Sequence, residues 1–213
     1  TLSRRAIGLS VVDDRPRSTG PITLIVDSTG LKIHRGSGWQ EVKHGTEGPQ
    51  ILAQTAHLYD PDSGEIIASL LTTDQVGDET ALPELIAGIE NPVAHILADG
   101  AYDGTGVSNC LSEAFGPDVE ITIPPPITAV LGLSDGRDAH IKHIDEHGRM
   151  AWQVATGDND RALVEAQIGR RKFVIGAGLN AREMSRQITE NQIATKALNR
   201  MTRIGRAVFK RVV

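Results

Sequence analysis

The chain has 213 residues, of which 39% are apolar and only 3% aromatic, so one domain is expected, packed by branched aliphatics and alanine. Its single cysteine, Cys110, excludes an intrachain disulfide and a cysteine-based zinc site. No apolar run reaches the length of a membrane span and no signal peptide is expected, which makes a cytoplasmic protein the default.

The net charge of −5 argues against a polyanionic partner until its distribution is read. Residues 161–213 hold 12 Lys and Arg against 3 Asp and Glu, leaving 10 and 24 for residues 1–160. The basic end suits either a phosphate backbone or the acidic part of the same molecule.

Residues 1–20 have no clear period and read as a tail or linker closed by Pro16, Gly20 and Pro21. Ile22 to Val26 form a nearly continuous apolar run, the pattern of a buried strand, ending at Asp27. Ser28-Thr29-Gly30 predicts a turn and Leu31 to Arg35 a second strand of a hairpin. After a Gly-rich loop at 36–50, a strand over 51–60, a turn at Pro61 to Gly64 and a strand over 65–73 predict another hairpin. Asp78 then caps a predicted helix whose apolar stripe is Leu82, Leu85, Ile86 and Ile89, with Pro83 early enough to be tolerated.

Val93 to Ala98 predicts another buried strand, again ending in an acid, Asp99. A helix over 106–115 and a short strand stopped by Pro124 to Pro126 follow, and strand–helix–strand predicts a parallel crossover. Strands ending in Asp27 and Asp99 could lie side by side with both acids at one edge. In the polar stretch 127–160, His140, His143 and His147 share a helical face, which suits a surface helix or a metal site. The last predicted helix, over 181–201, buries Ile193, Ala197, Leu198 and Met201.

Between these two regions lies Arg161 to Lys172. On a helix, Arg161 lies about 40° and Lys172 about 20° to the same side of Glu165. Two bases thus flank one acid, beside the apolar Ala162, Leu163, Val164, Ala166 and Ile168. Alone, this is a solvated ion pair. With two upstream aspartates it is a third carboxylate. Three carboxylates at one edge of a mixed sheet can hold two divalent cations, and two metals suit phosphodiester chemistry. No nucleophile–base pair competes with that reading.

The motifs D-S-T-G-L-K from Asp27, K-H-G from Lys43, D-P-D-S-G-E-I from Asp60 and L-A-D-G-A-Y-D from Leu97 support a family resemblance. So do I-P-P from Ile123, H-G-R-M-A-W from His147, R-A-L-V-E from Arg161 and A-L-N-R-M from Ala197. In these motifs the chain resembles the DDE transposases of bacterial insertion sequences, specifically the insertion-sequence-five group. Arg161, Glu165 and Lys172 meet the spacing of that family's Tyr–Arg–Glu–Lys signature.

The resemblance implies an α/β, RNase H-like mixed sheet, with antiparallel strands first, then parallel strands, flanked by helices. It implies a triad of Asp27, Asp99 and Glu165 holding two Mg²⁺ or Mn²⁺ ions. Arg161, Lys172, Lys32 and Lys43 are then the DNA contacts. The implied partners are DNA (transposon ends and target) and further copies of the chain in a synaptic complex, in a bacterial, nucleoid-associated setting with no membrane. Residues 21–213 would be the catalytic domain, and residues 1–20 the end of a DNA-binding domain that precedes it. The implied activity is DNA cleavage and strand transfer. The alternatives are a catalytically decayed or repurposed remnant that binds DNA or self-associates, and an RNase H-like nuclease. Three departures bear on the choice. Asp158 stands where the signature has Tyr, Asp160 where a base is common, and Ile51 to Ala56 where a basic, aromatic segment is usual. On a helix reaching back that far, Asp158 would repel Glu165 or draw a metal aside.

Overall fold

The computed structural model describes residues 20–33 and 52–205. Their strands form one mixed sheet. β1 (Ile22–Ile33), β2 (Leu52–Asp60) and β3 (Glu65–Thr73) pair antiparallel; β4 (Val93–Ala98) pairs parallel with β1, and β5 (Glu120–Thr122) parallel with β4. The order across the sheet is β3-β2-β1-β4-β5, and the two-residue β6 (Gly178–Leu179) pairs parallel with the far end of β1. Around it lie α1 (Asp78–Ile86), α2 (Thr105–Phe115), α3 (Asp135–His147), α4 (Arg149–Thr156), α5 (Arg161–Val174) and α6 (Met184–Ile204). Three antiparallel strands followed by parallel strands beside the first form the RNase H-like arrangement expected from the sequence.

The first predicted hairpin is not there. β1 runs straight through Ser28-Thr29-Gly30, paired with β2 from Ile25↔Tyr59 to Lys32↔Leu52. That continuous ladder satisfies backbone groups which a turn would have left to other partners. Asp27 therefore sits within a strand. The second hairpin is as expected. Buried Asp60 holds its turn by accepting from the Asp62 amide at 3.1 Å and the Ser63 hydroxyl at 2.6 Å, and Gly64 supplies a positive φ of 72°. Asp78 is the first residue of α1, not its cap, which is Gly77.

Alternation along β1 divides the core. Leu24 and Val26, with Ala56, Leu58, Ile96 and Ala98, pack against Leu82, Leu85 and Ile86 of α1 and Val107 and Leu111 of α2. Ile25, Tyr59, Ile66 and Leu97 pack on the other face against Val164 of α5 and Leu198 of α6.

That second face is more polar than the hydrophobic pattern predicts. On α6 only Leu198 of the predicted stripe is fully buried, whereas Ile193 is 50% and Met201 39% exposed. The buried positions include Gln187, Asn191, Ala194 and Asn199. Asn199 accepts from the Ile66 amide and donates to the Ile66 carbonyl, both at 2.8 Å. Ile66 lies where the β2–β3 register slips by one residue, between Leu58↔Ala68 and Tyr59↔Ile66, so its backbone needs a side-chain partner. Asn191 accepts from Thr55 at 3.2 Å and Arg171 at 3.1 Å, and donates to Ser69 at 2.7 Å. On α5 the buried stripe is Val164, Gln167, Ile168 and Arg171, while Ala162 and Ala166 are exposed.

Two buried groups of this layer, the His57 ring and most of the Arg171 guanidinium, have no hydrogen-bond partner among the described residues. Burial, then the Arg171 charge, pushes His57 down to about 3. The unfolded chain takes up a proton near pH 6.5 that the folded chain refuses, so the His57 contribution is intact above that pH and is lost as pH falls toward 3. Urea unfolding should show His57→Leu with a shallower fall in stability between pH 6 and 4, by about 1.4 kcal/mol per pH unit. Parallel profiles for variant and parent would mean that His57 protonates freely in the fold.

Candidate catalytic carboxylate site

β4 ends at Ala98, which pairs with Val26. The next residues are Asp99 and Asp27, so the two carboxylates leave adjacent parallel strands, about 4.8 Å apart, at the same register. Beyond them, the β4 side of β1 carries no strand among the described residues until Lys32 meets Gly178 of β6. The acids sit at the start of this gap. Each ties one oxygen to the backbone. Asp27 Oδ1 accepts from the Ser28 amide at 2.8 Å, and Asp99 Oδ1 accepts from the Ala101 amide at 2.5 Å, capping a 3₁₀ turn over Gly100–Tyr102.

The buried stripe of α5 turns Arg161, Glu165 and Lys172 together to its flank, about 60–100° from Val164. Glu165 is exposed, and Arg161 and Lys172 are half-buried. The charges of Arg161 and Glu165 reach Asp27. Asp27 is raised above the ordinary carboxylate range, chiefly by burial; the Ser28 hydrogen bond lowers it, Asp99 raises it, Arg161 lowers it and Glu165 raises it. Asp27, Asp99, Glu165 and Arg161 therefore share one electrostatic neighbourhood.

Asp158 does not take the position expected for it, because α5 begins at Arg161. Gly157, left-handed at φ 72°, breaks the chain direction, and Asp158 opens a separate 3₁₀ turn over Asp158–Asp160. Buried there, it accepts from Gln153 at 3.2 Å and contacts Arg161 Nη1 at 3.5 Å. The additional acid thus engages the site's arginine.

Of the remaining candidates, Lys32 is exposed and, five residues beyond Asp27, lies on the opposite face of β1. Lys43 is outside the described residues. The three histidines separate. His140 turns inward, its Nε2 against the Ile121 carbonyl at 3.1 Å and its Nδ1 accepting from Trp152 at 3.0 Å, while the His143 and His147 rings lie 4.7 Å apart on the surface. Hydrophobic patterning missed Gln54, whose amide donates to Ser28 Oγ at 3.0 Å and to Asp78, linking β1, β2 and α1 behind Asp27. It also missed the Arg137–Asp103 pair (2.8 and 2.9 Å), which anchors the chain just after the Gly100–Tyr102 turn. Only the second acid of the D-G-A-Y-D motif hinted at that pair.

Residues 18–196 match the family described as transposase DDE domain. The chain belongs to that family. A chain of a simian T-cell lymphotropic virus intasome, solved by cryo-electron microscopy in complex with PP2A regulatory subunit B56 gamma, is also similar. The match has 15% identity and a TM-score of 0.35 over 69% of this chain and 48% of the other, so the chain spans about half the length of that relative. No helix among the described residues of this DDE domain is long and apolar enough to cross a membrane.

The site's donors fit a divalent cation in kind. They are hard carboxylate oxygens, and the charges of Asp99 and Glu165 disfavour the ionised form of Asp27, which a cation would relieve. Among the described residues no three His, Cys, Asp or Glu side chains stand close enough to hold one ion. Magnesium needs fewer, because it takes one or two carboxylates and completes its shell with water and phosphate oxygens. The Asp27–Asp99 pair suits that demand.

Because folding raises Asp27 above its unfolded value, its ionised form opposes folding at neutral pH, and this penalty fades as pH falls. Asp27→Asn keeps an oxygen for the Ser28 amide and removes the charge. At pH 7 in EDTA it should melt about 1–4 °C above the parent. A lower melting temperature would show that repulsion does not govern this position.

Proposed function

We propose that this chain is the catalytic part of a bacterial insertion-sequence transposase of the insertion-sequence-five group, which cuts DNA at element ends and joins it to a target. In this reading Asp27, Asp99 and Glu165 hold divalent cations, Mg²⁺ or Mn²⁺. What carries the reading is the register that makes Asp27 and Asp99 neighbours across parallel strands, with Glu165 felt at Asp27. Two such cations would supply Lewis-acid activation of a water or 3′-hydroxyl and stabilise the leaving oxygen.

The chain's own residues do the rest. The backbone bonds from Ser28 and Ala101 hold one oxygen of each aspartate and so present the other. The phosphate backbone would approach at the sheet edge beyond Asp27, where β1 pairs with no described strand on its β4 side until Lys32. Arg161 and Lys172, on the Glu165 flank of α5, neutralise approaching phosphates and offset the crowding of like charges. Lys32 and Lys43 are further candidate DNA contacts. Self-association would bring two element ends together.

A second reading, a decayed remnant, is favoured by one observation: buried Asp158 draws on Arg161, which a phosphate would otherwise occupy. Calorimetric titration of Mn²⁺ in the presence of DNA, together with nicking of a supercoiled plasmid, separates the two. The parent should bind and nick, and Glu165→Gln and Asp99→Asn should each lose about 100-fold or more in nicking rate. No Mn²⁺ binding even with DNA would sink the transposase reading, and recovery in Asp158→Tyr would identify that acid as the cause. Preferential cutting of RNA–DNA hybrids would instead favour a nuclease.

A further inference from the structure

The fold accounts for His140 but not for the two histidines that follow it on α3. His140 lies between β5 and α4, with both ring nitrogens engaged by the Ile121 carbonyl and the Trp152 indole. His143 and His147 stay outside, about one helical turn apart, with ring centres 4.7 Å apart and planes tilted by 40°. The His147 side chain is 57% exposed. The stretch His143-Ile144-Asp145-Glu146-His147 spells H-x-x-E-H, a spacing by which one helix face offers two imidazoles to a metal.

The ring spacing fits chelation. An imidazole nitrogen binds Zn²⁺ at about 2.0–2.1 Å, which puts each ring centre about 3.2 Å from the ion. Two rings that meet there at a square to tetrahedral angle have centres about 4.5–5.2 Å apart, and the observed spacing falls inside that interval. Glu146 Oε2 stands 3.9 Å from His147 Nδ1. A carboxylate on that side favours the tautomer with its proton on Nδ1 and so leaves Nε2 as the ligand. The helix is firm up to this point. Ile141 is buried, Arg137 is paired with Asp103, and the Gly148 amide closes the last turn on the Ile144 carbonyl at 2.8 Å. This is also the carbonyl end of α3, where the helix dipole favours positive charge.

We propose that His143 and His147 chelate a divalent transition metal of the Zn²⁺, Ni²⁺ or Cu²⁺ class, with solvent completing its shell. Imidazole suits these ions, whereas Mg²⁺ and Mn²⁺ prefer carboxylate and water oxygens. The pair on α3 is therefore distinct in chemistry and in place from Asp27 and Asp99 on the sheet. No group of three His, Cys, Asp or Glu among the described residues forms a fuller cage, so the protein supplies two ligands and Glu146 orients one of them. The inference stands apart from the transposase reading and survives its failure.

The test uses the 213-residue chain, titrated with Zn²⁺ by calorimetry in buffer containing excess Mg²⁺. The parent should bind one Zn²⁺ through this pair. His143→Asn and His147→Asn should each bind that ion about tenfold more weakly or worse, because losing a ligand costs at least as much as losing a group that orients one. Unchanged affinity in both variants overturns the proposal. So does a loss confined to one variant, which shows a single imidazole at work and no chelate. The chain has seven histidines, so a second readout locates the ion: ¹⁵N-labelled histidine in the parent. Zn²⁺ should shift the ring signals of His143 and His147 together and leave those of His140 in place. Signals of His143 and His147 unmoved at saturating Zn²⁺ overturn the proposal, and this measurement decides if either variant fails to fold.

Discussion

The parallel pairing of β1 with β4, in the register that sets Val26 beside Ala98, is the constraint on which the rest of the site depends. It makes Asp27 and Asp99 neighbours whatever their charges prefer, because slipping one strand by a residue would turn Leu24, Val26 and Ile96 out of their core. Fully burying each such side chain is worth about 1.5–3 kcal/mol, and several turn together, so packing prevails over the repulsion of two partly solvated carboxylates. The apolar core thus imposes an acid pair that a chain selected for stability alone would avoid.

The helix that completes the site obeys the same logic. α5 is oriented by Val164 and Ile168 against the sheet, and that orientation carries Arg161, Glu165 and Lys172 to its flank. The layer beneath is polar where a larger chain of leucines would serve. Asn199 closes the backbone at a bulge, and Asn191 ties β2, β3 and Arg171 together. Buried amides with defined partners accept one geometry and reject others, which fixes α6, and through Arg171 also α5, on the sheet. The basic excess after residue 160 is in part absorbed here. Arg171 is buried and Arg203 pairs with Glu65 at 2.6 Å, while Arg161 stays near Asp27.

Much of this was legible in the chain. Buried strands read as apolar runs, and the Pro61–Gly64 turn, α2 and the prolines that stop β5 declared themselves locally. The two aspartate candidates were legible because an acid directly after a buried run stands out against its neighbours, and Glu165 because two bases share its helical flank. What misled was local as well. Ser28-Thr29-Gly30 has the composition of a turn, but β2 offered it a ladder, and long-range pairing overrode the local preference. The α6 stripe was drawn through Ile193 and Met201 because hydrophobic periodicity cannot see an asparagine whose partners are a bulged backbone and a buried arginine.

By itself, the sequence determined most of the elements, the order of the acids along the chain and the spacing of Arg161, Glu165 and Lys172, because those properties depend on residues within one strand or one helix. The tertiary structure alone decided that Asp27 and Asp99 share a register. It also decided that Asp158 leaves the helix and engages Arg161. Each of these follows from which distant segment is brought alongside, and that is set by how the whole set of apolar faces can close into one core.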